Sequence, residues 1–189
     1  CLHCVLHSHT QGVLDVREDG PGHAVAECCV AVPRVTWRTL GEMQTKAAIL
    51  WEVDKPWSVE DIELDAPGPG EDRVKLAASG MCHSDEHLVT GDLAGATSPM
   101  PLIGGHEGAG IVMEVGPNVI GLEPGDHVVF GFIPACGRCP SCASGHSNLC
   151  DIGGAAFPTG RQISDGTARH HTADGEDLGL MCLLGTFAE

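Results

Sequence analysis

The chain has 189 residues, with 26 acidic and 10 basic side chains and a formal charge of −16 at pH 7. Such an acidic balance argues against a nucleic-acid partner, which needs clustered Lys and Arg against phosphate. Hydrophobic residues make up 42% and aromatics only 4%, with no Tyr, so one core can form but it must be built from Val, Leu, Ile and Ala.

Ten Cys and eleven His are many for this length. They raise two readings, a disulfide framework or metal binding. The first thirty residues show no basic start followed by an apolar run, and no segment is long enough to span a membrane. A reducing, cytoplasmic setting is therefore expected, and it favours metal over disulfides.

Residues 1–42 scatter Cys, His and Arg without helical or strand periodicity. Cys1, Cys4, His7 and His9 have a zinc-like look, but both pairs crowd into one terminus with no loop between them. Cys28-Cys29 has no identifiable partner. Met43 would make a natural start. The segment reads as a disordered or misassigned N-terminal extension, with a genuine flexible arm as the alternative. An orderly domain is expected over 43–189.

From Met43 the pattern turns to short strands. Lys46 to Val53, Val59 to Leu64 and Val74 to Ala78 read as strands, with a turn at Pro67-Gly68-Pro69-Gly70. After the third strand comes Gly80-Met81-Cys82-His83-Ser84-Asp85-Glu86-His87, and further on Gly105-His106-Glu107-Gly108-Ala109-Gly110. A lone Cys or a lone His is more often a core residue than a ligand. Ser84 and His87, taken alone, read as the cap and surface of a short helix. Ile111 to Val115 and His127 to Phe132 read as two further strands.

Next come Cys136, Cys139, Cys142 and Cys150, spaced C-x2-C-x2-C-x7-C. Short Cys-x-x-Cys knuckles put two thiolates on one Zn²⁺ without strain, and four soft ligands close a tetrahedral, structural site. Gly137 and Pro140 suit the sharp turns between them. An iron–sulfur cluster is the chemical rival, although the long last gap and the absence of Pro after Cys150 count against it. Asp165-Gly166-Thr167 reads as a turn, and Leu178 to Phe187 as a returning strand.

The combination is specific. Gly105-His106-Glu107-x2-Gly110-x5-Gly116-x2-Val119 resembles the signature of zinc-containing alcohol dehydrogenases in the medium-chain dehydrogenase/reductase superfamily. Gly80-x-Cys82-His83-Ser84-Asp85 resembles their first catalytic-zinc motif, and the four-cysteine loop their structural-zinc lobe. Pro124-Gly125-Asp126-His127-Val128-Val129 is similar to the strand before that lobe. The likeness runs from about residue 44 to 189. Stretches such as Lys46 to Glu52 and Asp85 to Asp92 look most like actinobacterial, nitrosoaniline-dependent alcohol dehydrogenases. Thiol-dependent formaldehyde dehydrogenases look similar.

The resemblance implies a mainly β, GroES-like fold, a partly open β-barrel with short helices and a protruding zinc lobe. It implies that Cys82 and His106 ligate a catalytic Zn²⁺, with Glu107 beside the metal or as a transient ligand. Asp85 would accept a hydrogen bond from the far nitrogen of His106. Ser84 would contact the alcohol hydroxyl, His87 would pass its proton to solvent, and His83 would lie near the pyrophosphate of NAD. The activity implied is oxidation of primary alcohols or aldehyde adducts, by an enzyme that is a homo-oligomer at full length and has small molecules as partners. The alternative of another class is a non-catalytic zinc-binding module. The family's third catalytic-zinc ligand, a Cys, falls beyond residue 189, and Cys182 is not in its motif. No G-x-G-x-x-G occurs in the chain. The expectation is thus a catalytic-domain portion without its dinucleotide-binding half, inactive alone, with Zn²⁺ held tightly at the four cysteines and weakly at Cys82 and His106.

Overall fold

The computed structural model describes residues 2–7, 43–93 and 99–189. The strands β1 (Leu2–His7), β2 (Met43–Leu50), β3 (Ser58–Leu64), β4 (Glu71–Gly80), β5 (Leu102–Ile103), β6 (Glu107–Val115), β7 (His127–Val129), β8 (His170–Thr172) and β9 (Gly179–Leu180) form two sheets. One has the order β1-β4-β6-β7 and the other β8-β3-β2-β5-β9. All pairings are antiparallel except β5 with β9. The sheets curl into a partly open barrel, the mainly β architecture expected. The helices α1 (His83–Val89), α2 (Pro140–Ala143) and α3 (Asp151–Ala156) are short. Among the described residues no helix is long and apolar enough to cross a membrane.

Alternation explains the β2–β3 hairpin. In β3, Ile62 and Leu64 point inward while Val59, Asp61 and Glu63 face water. Ile62 meets Ala47 and Ile49 of β2, Ile103, Leu178, Leu180 and Ala188 in one cluster. A second cluster packs Val74, Leu76, Val112, Val128 and Leu184. A third, of Leu50, Leu88, Leu102, Met181 and Cys182, lies under α1. As foreseen from composition, Val, Leu, Ile and Ala fill the first two, while Met181 and Cys182 join the Leu residues of the third.

Several expectations need correction. β2 stops at Leu50, because Asp54 takes a left-handed turn (φ 61°) and leaves Val53 outside. β4 starts three residues earlier than its apolar run, at Glu71. Its charged residues Glu71, Asp72 and Arg73 are fully buried. Arg169 makes this tolerable for Glu71, donating through Nε at 2.8 Å and through Nη2 at 2.9 Å. Arg73 lies 3.2 Å from Glu114 and donates to the Asp65 carbonyl at 2.8 Å. Leu178 to Phe187 is not one strand. Only β9 is extended, and the chain then makes a 3-10 turn over Met181–Leu183 with Cys182 and Leu183 at positive φ. β7 ends at Val129 rather than running to Phe132. The turn at 165–167 is present, with Thr167 N–H donating to Asp165 Oδ1 at 2.9 Å.

Within the segment read as lacking strand periodicity, Leu2–His7 pairs with Glu71–Leu76 as an edge strand. The zinc-like grouping that includes Cys1 and His9, the Cys28-Cys29 pair and the rest of the supposed extension lie outside the described residues.

Candidate metal centres

The four cysteines come together on a lobe made of α2, a 3-10 turn at Ser147–Leu149 and α3. Their sulfurs all lie within 4.8 Å of one another, and Cys139 Sγ is 3.9 Å from Cys150 Sγ. Thiolates about 2.3 Å from a tetrahedral zinc would stand roughly 3.8 Å apart. All four are buried and none is in a disulfide. Backbone amides point at the sulfurs: Cys136 N–H and Gly153 N–H to Cys150 Sγ at 3.2 Å, and Cys139 N–H to Cys136 Sγ at 3.3 Å. Such donors favour the thiolate form. Burial pushes the Cys150 thiol up, but the Gly153 and Cys136 amides outweigh it and bring it below its ordinary value. Cys142, crowded by burial and then by its hydrogen bond with Cys139, is pushed up to about 12. Four thiols converging in a buried cage, half solvated by amides, fit a soft cation. Gly137, at φ 70°, makes the first knuckle possible.

The second group joins two distant places. Cys82 is the residue before α1, and His106 and Glu107 sit where β6 begins. Their ligand atoms lie within 4.8 Å of one another. His106 is buried, Cys82 half-buried and Glu107 exposed. Asp85 ties the two places together, accepting from Cys82 N–H at 2.9 Å and Gly105 N–H at 3.0 Å. Its Oδ1 stands 3.6 Å from His106 Nδ1. That is ion-pair range and longer than a hydrogen bond. Asp85 therefore positions the loop of His106 more directly than its ring. His106 Nδ1 has no hydrogen-bond partner among the described residues, which is how a ring awaiting a ligand or a closer carboxylate would stand. Phe132 covers the imidazole edge-on, with ring centroids 6.0 Å apart.

Gly105 has φ 86°, and a Cβ there would meet Thr186 Oγ1 at 2.5 Å and Phe187 at 2.6 Å. Only glycine lets the chain turn so tightly into His106. Thr186 N–H donates to Gly105 O, and Thr186 Oγ1 donates to Glu107 O, each at 3.0 Å. Ser79 Oγ also donates to Glu107 O, at 3.1 Å. Thr186 and Ser79 were invisible to motif reading, because hydroxyls at such separations carry no pattern.

The remaining candidates lie on α1. Ser84 Oγ is 3.6 Å from Cys82 Sγ. His83 and His87, one turn apart, stack with centroids 4.6 Å apart. Cys182 lies buried in the cluster under α1, where burial first, then the negative charges of Asp85 and Cys82, push its thiol up to about 12. It is not in the metal-ligand group with Cys82.

A partly open barrel carrying a four-thiol lobe and a Cys/His/Glu group is the architecture of a GroES-like domain with two groups able to hold a metal ion. Residues 68–189 match the family model described as "Alcohol dehydrogenase GroES-like domain", and the chain belongs to that family. It is 53% identical over 146 residues to "Alcohol dehydrogenase B" of Mycobacterium tuberculosis, a match covering 77% of this chain and 38% of that protein. It is 50% identical over 147 residues to the "NDMA-dependent alcohol dehydrogenase" of Amycolatopsis methanolica, covering 78% and 38%. Among solved structures it is similar to an alcohol dehydrogenase zinc-binding domain protein from Burkholderia ambifaria, with TM-score 0.70, 36% identity and coverage of 78% and 39%. It is also similar to benzyl alcohol dehydrogenase from Acinetobacter calcoaceticus, with TM-score 0.66, 28% identity and coverage of 77% and 38%. The chain thus spans well under half the length of the relatives it matches.

Proposed function

We propose that residues 43–189 are the catalytic-domain portion of a zinc-dependent alcohol dehydrogenase that oxidises primary alcohols or aldehyde adducts by hydride transfer to NAD. The whole protein would be a cytoplasmic homo-oligomer. The observation that carries the reading is the convergence of Cys82, His106 and Glu107 within 4.8 Å beside α1. Zinc at that group would supply Lewis acidity, lowering the pKa of an alcohol. A nicotinamide, when bound, is the hydride acceptor.

This chain's own side chains do the rest. Cys82 and His106 would hold the metal, and the exposed Glu107 could join or leave the ligand set. A mixed set of this kind suits a site that must admit substrate, whereas four buried thiols suit a closed structural one. Asp85 clamps the two ligand-bearing segments through the Cys82 and Gly105 amides. Ser84, beside Cys82, would receive the hydroxyl proton, and His87, half-buried on the same helix, would pass it to water. His83 would meet the cofactor's pyrophosphate.

The test is a chimera in which residues 43–189 replace the matching segment of the Amycolatopsis relative. It should oxidise alcohols, and Cys82→Ser should reduce turnover to background. The 189-residue chain alone should show none. A chimera whose turnover survives Cys82→Ser would overturn the assignment.

A further inference from the structure

The helix that carries His87 ends in a turn whose geometry serves that imidazole. Thr90 closes α1, with its N–H donating to Glu86 O at 2.9 Å. Gly91 follows at φ 79°, and a Cβ there would meet Val53 at 2.8 Å. Glycine permits both the left-handed step and the close pass. The reversal is anchored by Asp54 N–H donating to Val89 O at 2.7 Å and Leu93 N–H to His87 O at 3.3 Å. It brings Asp92 back alongside the helix. Asp92 Oδ2 lies 2.9 Å from His87 Nδ1 and accepts from Thr90 Oγ1 at 2.7 Å.

A carboxylate can only accept, so the proton of this pair must sit on Nδ1. In the neutral ring Nε2 is then bare, the state a proton acceptor needs. The two hydrogen bonds, from Thr90 first and His87 next, hold the Asp92 carboxyl below the usual carboxylate range and keep it an acceptor. His83 stacks on the ring, with centroids 4.6 Å apart. Asp92 and His83 are titratable groups in direct contact with the His87 ring. Both members of the pair reach solvent, the half-buried His87 with 41% of its side chain exposed and Asp92 with 64%. So exposed a contact adds little to stability. Its consequence lies in which nitrogen carries the proton.

We propose that Asp92, steadied by Thr90, is a positioning residue for the proton relay: it fixes His87 as the Nδ1–H tautomer with Nε2 free to take a proton. The inference rests on the reading of His87 as the relay group, but its test does not. The experiment is ¹⁵N NMR of the ring nitrogens of His87 in the zinc-loaded chain, at a pH where the ring is neutral. The wild type should show the bare-nitrogen shift at Nε2. In Asp92→Ala that shift should move to Nδ1, and Asp92→Asn, whose amide oxygen still accepts, should restore it. An Nε2–H tautomer in the wild type, or an unchanged spectrum in Asp92→Ala, would overturn the proposal. Should Asp92→Ala lose its fold, the wild-type spectrum and Asp92→Asn still decide. If Cys82→Ser leaves the chimera active while these spectra come out as expected, the dyad stands and the relay reading falls.

Discussion

His170 gives a quantitative handle on the fold. It lies on β8 opposite Leu64, is fully buried, and neither ring nitrogen has a hydrogen-bond partner among the described residues. Burial, then the positive charges of His171, Arg73 and Arg169, push it down from 6.5 to about 3. The unfolded chain therefore takes a proton at this residue below about pH 6.5, while the folded chain refuses it until about pH 3. Stability is full above that window and falls as the pH drops through it. At pH 5 the loss is about 2 kcal/mol, from roughly 1.5 pH units at about 1.36 kcal/mol each. His170→Leu removes both the slope and two orphaned nitrogens. It should be neutral or stabilising by about 1 kcal/mol at pH 7.5. Its advantage should then grow by about 2 kcal/mol at pH 5. Urea unfolding of both proteins at the two pH values, with zinc buffered, reads this directly. Other titrating groups cancel in the difference when they lie apart from the mutated site. A difference that stays flat within about 0.5 kcal/mol between the two pH values would refute the reasoning, because His170 would then be charged and paired, or wet.

Arg169→Met should cost about 3–5 kcal/mol, since it strands the buried Glu71 without its bidentate partner. The double variant with Glu71→Met should recover most of that loss in urea unfolding, and a fully additive double mutant would sink the argument. Elemental analysis after dialysis should find one zinc per chain held tightly, with any second zinc lost. Cys139→Ser should release the tight zinc, and two zinc ions retained in the wild type would contradict the ranking of the sites.

What could be read from the sequence was what is local in the chain. The four-cysteine knuckles and the turns at 67–70 and 165–167 lie within a few residues of their partners, and the structure has them where spacing put them. The β3 alternation is visible because one face is wet. The start of β4 is hidden in the sequence, since a buried Glu71-Asp72-Arg73 looks like a loop until Arg169, 98 residues away, is known to cover Glu71. The stretch after Leu178 misled for the opposite reason. Its apolar residues look like a strand, but Cys182 and Leu183 occupy left-handed conformations that tertiary packing imposes and no propensity announces. The roles of Ser79, Thr186 and Asp92 are not legible in the sequence, because a hydroxyl or a carboxylate gains its meaning only from the partner the fold brings to it.

The same contrast separates the two metal groups. The four thiols lie on one short lobe, and their amide donors come from the lobe itself, Gly153 and the ligand residues. That cage can close around a cation with little help from the barrel. The Cys82 group needs β4, α1, the Gly105 turn and β6 in register, with Asp85 joining Cys82 to Gly105 and Thr186 reaching back from the far end of the chain. Its geometry is therefore a readout of the whole fold. A substitution that loosens the barrel far from any ligand, such as Arg169→Met, should weaken metal binding at Cys82 before it disturbs the four-cysteine lobe. Cobalt substituted at both sites and followed by its thiolate absorption would separate the two losses. Simultaneous release from both would show that the lobe depends on the barrel after all.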